Sequence, residues 1–301
     1  MKPAPNVVEA PPGTRRLLPE MRVLLVVFSL LTAAAVGSLF VLSETTEQTF
    51  AWTIEPPLTA AFLGAGYASG FVLVALSLRD PVWAHSRVPV LTIFLFVVLT
   101  LAATLLHVNR MHFDDDFVTL GLLAKAAAWF WLTVYVVLPV AMIVALVRQE
   151  RAPGSDPPAL HPVPVVLRTA LAVESAVLLV TGVVLFAVPT TTSLWPWALT
   201  PFTGRVVAAW LLAFGLATGL AVVAGDLARL RTAAIAYTVF GVLVLVALLR
   251  YVGTPAWDRP AAWVFVAVAV AVVLTGAAGW RAAPRPSRRG DQRRSPDGVD
   301  H

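Results

Sequence analysis

The chain is built around apolar runs of about twenty residues, and no other feature limits its fold as tightly. Examples are RVLLVVFSLLTAAAVGSLFVL from Arg22 and TAAFLGAGYASGFVLVALSL from Thr59. A helix rises 1.5 Å per residue, so about twenty apolar residues cross a hydrocarbon core of about 30 Å. Membrane-spanning strands would alternate apolar and polar over about ten residues, whereas these runs are continuous. Hydrophobic residues make up 58% of the 301 and charged ones only 13%, which leaves too little polar surface for a soluble domain of this length. The fold class read from the sequence is all-α, a polytopic membrane helical bundle. Eight spans are expected, near 21–43, 57–78, 89–107, 122–147, 164–187, 204–225, 231–251 and 261–280.

The placement of Lys and Arg orients these spans. Lys2, Arg15, Arg16 and Arg22 precede or open the first. Arg79, Arg87, Arg148, Arg151, Arg229 and Arg231 flank the connections after spans two, four and six. A terminal cluster follows: Arg281, Arg285, Arg288, Arg289, Arg293 and Arg294. Most of the 22 basic residues thus fall on one side, and the positive-inside rule makes both termini cytoplasmic in a multi-pass protein of the cytoplasmic membrane. The net charge of +5 sits in these flanks. It is read as attraction of the C-terminal Arg cluster to anionic lipid headgroups, not as nucleic-acid binding. Residues 1–20 and 281–301 are polar, rich in Pro or Arg, and expected to be disordered cytoplasmic tails. Between them lie a first four-helix unit at 21–147, a cytoplasmic linker at 148–163 and a second unit at 164–280. Span one imitates a signal peptide, but it has a counterpart later in the chain and is expected to be retained.

That counterpart begins at Phe186. FVLSETTEQTFAWTIEPPLTAAFLGAGY from Phe40 matches FAVPTTTSLWPWALTPFTGRVVAAW. Phe40 falls opposite Phe186, Thr45 opposite Thr191, Trp52 opposite Trp197, Pro57 opposite Pro201 and Thr59 opposite Thr203. The offset drifts from 146 through 145 to 144. Halves of four spans share one orientation, so a parallel repeat about the membrane normal is expected. Trp52, Trp195 and Trp197 are read as residues of the headgroup region. Pro57 and Pro201 are read as first-turn prolines, and Gly66-x-x-x-Gly70 and Gly215-x-x-x-Gly219 as close helix contacts.

Two features outside the repeat can carry chemistry. HVNRMHFDDD gathers His107, Arg110, His112, Asp114, Asp115 and Asp116 where span three leaves the membrane on the outer side. The aligned stretch YVGTPAWDRP keeps only one acid, so the cluster belongs to one half. Two His beside carboxylates suit a divalent metal, but their spacing across a helix end fixes no coordination geometry. The competing reading is a solvated loop in which Arg110 neutralises the acids. Glu174 is different, because it stands near the middle of span five. A charge there costs roughly 2.5–3.5 kcal/mol on insertion scales. With no mid-membrane Lys, Arg or His to pair with it, the neutral acid is expected. It then either lies in an ion or ligand path or bonds a neighbouring Ser or Thr. Lys125, Arg205 and Arg250 are read as interfacial anchors, the alternative being pairs with Glu55, Asp114 or Asp258.

The paired loops WTIEPPLT and WPWALTPFT, with HFDDD ahead of an AWFW helix, resemble those of bacterial eight-span integral membrane proteins to which no activity is assigned. The resemblance runs over roughly 21–280 and implies architecture alone. With Cys 0, thiol catalysis, iron–sulfur clusters and covalent haem are excluded. Only His107 lies near a span, which argues against b-type haem. HExxH, GxSxG and P-loop patterns are absent. No cofactor is expected. The leading expectation is a non-enzymatic membrane subunit or scaffold, with a protein partner in the membrane, or a binder of a lipophilic ligand. The alternatives are a transporter with Glu174 in its path, or a metal-dependent membrane enzyme using the 107–116 cluster.

Overall fold

The computed structural model describes residues 13–113, 121–191 and 194–284. Among them eight helices are long and apolar enough to span a membrane. They are α1 (Pro19–Val36, extended by a π-helical turn at Gly37–Val41), α2 (Pro57–Arg79), α3 (Trp83–Leu106) and α4 (Leu122–Glu150). The second four are α5 (Val165–Ala187), α6 (Pro201–Ala224), α7 (Leu227–Arg250) and α8 (Pro260–Ala282). The polytopic helical bundle is therefore observed.

Proline opens α1, α2, α6 and α8, where the missing N–H forfeits no helical bond. Asp226 caps α7 by accepting from Ala228 N–H. The structured helices α3, α6 and α7 start three to six residues ahead of the expected spans. Their first turns carry polar groups such as His85, Arg87 and Arg229. These turns are helical without being apolar, because their side chains find water or partners at the membrane edge.

Residues 13–18 are a correction to the expected disordered tail. Leu17 N–H donates to Pro81 O at 2.9 Å and Trp83 N–H to Arg15 O at 3.0 Å, which fastens this segment to the α2–α3 turn. Buried Gln149 accepts from Leu18 N–H and donates to Arg16 O. Glu150 receives Arg15, Arg87 and the Trp83 indole. A sequence rich in Pro and Arg looked unable to order itself, but it is ordered by backbone bonds to a turn distant in sequence. Residues 1–12 and 285–301 lie outside the described residues. The same backbone pair recurs ahead of α5, as Val163 N–H to Gly225 O and Leu227 N–H to His161 O.

Helices α2, α3, α6 and α7 form the interior, with α1 on α2, α4 on α3, α5 on α6 and α8 on α7. The two largest contacts between the halves are α2 with α7 and α3 with α6. Exchanging α1–α4 with α5–α8 maps every one of these pairings onto another. Lipid tails are as apolar as Leu, so packing detail decides which helices associate. A Cβ added at Gly66 would lie 2.7 Å from the Trp210 ring, and one at Gly215 2.8 Å from Leu179. Gly66 and Gly215 therefore mark close approaches, whereas Gly70, the partner of Gly66 in its pair, has only ordinary contacts, the nearest at 3.6 Å.

Candidate functional site

The repeated loops bond to each other's following helices. Trp52 Nε1–H, ahead of α2, donates to Thr203 Oγ1 in the first turn of α6 at 3.4 Å. Trp197 Nε1–H, ahead of α6, donates to Thr59 Oγ1 in the first turn of α2 at 2.8 Å. Each half lends its indole to the other half's threonine. All four side chains are buried, as is Trp195, so the reading of Trp52, Trp195 and Trp197 as rings facing lipid headgroups is corrected. An amphipathic ring suits an interface because its N–H needs a partner, and for Trp52 and Trp197 that partner is inside the protein. Pro57 and Pro201 occupy the first helical positions, as expected.

The histidines of the 107–116 stretch are held separately. Arg205 donates to His107 Nε2 at 3.1 Å, so the ring's proton is on Nδ1, which donates to Ala103 O at 3.0 Å. The ring stacks on Phe202. His112 is fully buried; its Nδ1–H donates to Phe50 O, and its backbone N–H to Ala51 O. Its Nε2 lies 3.2 Å from Thr53 Oγ1. Burial lowers the His112 pKa below the ordinary value, outweighing the Phe50 carbonyl and the charge of Glu47. Both rings are thus used as fasteners, and among the described residues no group of three His, Asp or Glu side chains could hold a metal. Arg110 is exposed. Asp114, Asp115 and Asp116 lie outside the described residues. Of the outer cations, Arg205 holds His107, and Arg250 donates to Glu44 and to Phe40 O.

Glu174 is buried in α5 and bonded within its own half. Tyr237 OH on α7 donates to Oε2 at 3.1 Å, and Thr275 Oγ1 on α8 lies 3.0 Å from Oε1. A neighbouring Thr was foreseen, while the Tyr was not. Tyr237 and Thr275 also line a small cavity of about 70 Å³. At the offset of 146, Glu174 falls opposite Phe28, which borders a much larger space.

That larger space is a cavity of about 500 Å³ lined by α1–α4 and α6 and open on one side, where Leu123 and Phe130 are exposed. Its origin lies in side-chain size. The core-facing stripe of α8 is Ala269, Val272, Gly276 and Gly279, and a Cβ at Gly276 would lie 2.8 Å from Thr238 N. The buried face of α4 has alanines at its ends (Ala124, Ala128, Ala145) but carries Trp131, Tyr135, Leu138 and Met142 between them. Large residues hold a helix off its neighbour where small ones admit it. Accordingly α4 packs far less extensively on α3 than α8 does on α7. The walls are aromatic and aliphatic, with Phe96 and Trp210 facing at 3.9 Å between centroids and Trp131 beside Tyr135 at 4.3 Å. Within this lining the Tyr67 and Tyr135 hydroxyls are hydrogen-bonded at 2.7 Å. Sequence reasoning missed the site; an aromatic stripe at helical spacing reads equally well as packed core.

Fold and site together define an integral membrane protein with a largely apolar cavity between its helices. Comparisons with protein-family models, with curated proteins and with solved structures found no match.

Proposed function

We propose that this membrane protein binds a lipophilic molecule in the cavity between α1, α2, α3, α4 and α6, and performs no chemistry on it. One observation carries the reading: a space of about 500 Å³, lined mainly by apolar side chains of the spans α1–α4 and α6. Ligand sites are typically concave, mostly apolar and about 300–1,000 Å³, with a few placed polar groups. The proposal includes two parallel four-helix repeats, supported by the exchanged Trp–Thr pairs and the repeated backbone bonds ahead of α1 and α5. It also includes a cytoplasmic tail face, supported by the basic residues. Native mass spectrometry of the protein released from its membrane is expected to show a lipophilic adduct, reduced in Ala127→Phe, which fills the cavity. Equal adducts on both proteins would refute the reading.

A second reading, a transport path that includes Glu174, is favoured by one detail. Ser69, Leu73, Thr92 and Phe214 line both cavities, and so stand between the larger space and the partners of Glu174. Phe214→Ala should then raise the rate at which a bound lipophilic probe crosses the bilayer in vesicles, and an unchanged rate argues against a path.

A further inference from the structure

The hydroxyl pair in the cavity wall has one proton too many. Tyr67 and Tyr135 are each at least nine-tenths buried, and their hydroxyls bond to each other. Each phenol carries one O–H, and one mutual bond uses only one of the two protons. The other has no acceptor among the described residues. A buried donor without a partner is costly, and such exceptions in native structures call for an explanation.

Depth narrows what could accept it. Tyr67 is eleventh of the 23 residues of α2, and Tyr135 fourteenth of the 29 of α4. At 1.5 Å per residue Tyr67 lies about 15 Å from the start of its helix, near the middle of a hydrocarbon core of about 30 Å. Ester and phosphate oxygens of ordinary lipids sit at the interface, and acyl chains offer hydrocarbon at mid-depth. A ligand that satisfies the free O–H must therefore carry an oxygen acceptor on an otherwise apolar body. The rings of Phe96, Trp131 and Trp210 around the pair favour a flat body, since aromatic faces stack offset or edge to face.

From this we infer that the cavity takes a planar lipophilic carbonyl compound of the quinone class, with the free hydroxyl of the Tyr67–Tyr135 pair donating to a ring carbonyl oxygen. The inference rests on the proposal that the cavity is a ligand site. It has a consequence that follows from counting protons. Removing either hydroxyl abolishes the mutual bond but leaves the surviving O–H free to donate, so Tyr67→Phe and Tyr135→Phe each keep the preference for a carbonyl. Only the double variant loses it.

The test uses the full-length protein in detergent and two probes of matched shape, 2-methyl-1,4-naphthoquinone and 2-methylnaphthalene, measured by equilibrium dialysis. The parent and both single variants are expected to prefer the quinone over the hydrocarbon by about three- to tenfold, the range a single hydrogen bond supplies. The double variant is expected to bind both probes alike, with hydrocarbon affinity unchanged, which shows that its cavity is intact. In the parent, the infrared carbonyl stretch of the bound quinone should be lowered, and in the double variant it should not. If the parent binds both probes with equal affinity, the carbonyl assignment fails while the lipophilic site stands. If the double variant keeps the preference, another donor is responsible and the role of the tyrosines is refuted. If neither probe binds any of the proteins, the cavity reading itself falls with it.

Discussion

Thr59→Val isolates what the exchanged tryptophans contribute. Thr59 is completely buried and its hydroxyl accepts from Trp197 Nε1–H at 2.8 Å. Valine keeps the shape and removes the acceptor, leaving an indole N–H enclosed in protein. An unpaired buried donor costs about 1–3 kcal/mol, while the net value of the bond is about 0.5–1.5 kcal/mol. Thr59→Val should therefore destabilise the fold by about 1–3 kcal/mol. Trp197→Phe alone is less informative, because it also disturbs ring contacts with Trp195 and Phe265 at 5.0 and 5.3 Å. A double-mutant cycle removes that shared packing cost, and the coupling between Trp197 and Thr59 should be about 0.5–1.5 kcal/mol. The Trp52–Thr203 bond is longer, at 3.4 Å, and Thr203 Oγ1 also accepts from Thr200. Its coupling should be the smaller of the two. Reversible unfolding in mixed micelles with sodium dodecyl sulfate, followed by circular dichroism, measures each corner of both cycles. A Trp197–Thr59 coupling within about 0.3 kcal/mol of zero, the additivity expected of independent sites, would refute the argument. So would a larger coupling for the Trp52 pair.

Three further outcomes test other parts of the structure. Glu174→Gln retains an acceptor for Tyr237 and should unfold close to the parent, whereas Glu174→Leu strands that hydroxyl and should cost about 1–3 kcal/mol in the same assay. His112 has a folded-state pKa below its unfolded value, so the unfolded chain binds more protons as pH falls below about 6.5. Stability should fall on acidification through that value and level off below the folded pKa, and His112→Gln should flatten this part of the curve; an unchanged slope discounts burial of the neutral ring. Single cysteines replacing Ala159 and Gly253, both exposed on opposite faces, should react differently with an impermeant thiol reagent in intact cells. Gly253→Cys should label and Ala159→Cys should not, and the reverse pattern would invert the orientation.

The sequence by itself determined the properties that are linear along the chain. The length of each apolar run set the number of spans, and Pro57 and Pro201 marked where two helices begin. The paired loops at a drifting offset of 146 to 144 set Trp52 opposite Trp197 and Thr59 opposite Thr203, the four residues that exchange bonds in the structure. Glu174 was identifiable as a carboxyl that needed a partner, and a Thr supplies part of it. Which partner each group takes was decided by tertiary structure. The indoles of Trp52 and Trp197 fit a headgroup belt or a buried bond equally well until the two halves are brought together and their N–H groups reach Thr203 and Thr59. The sequence left His107 and His112 open to a metal or to a solvated loop; in the structure one ring bonds Arg205 and the other the Phe50 carbonyl. The cavity was the least legible feature. Trp131 and Tyr135 on α4, and Gly276 and Gly279 on α8, look like interchangeable core residues in one dimension. They become opposites once each stripe faces a neighbouring helix, because the separation of two helices depends on the summed bulk of both surfaces, and a linear sequence does not state which surfaces meet.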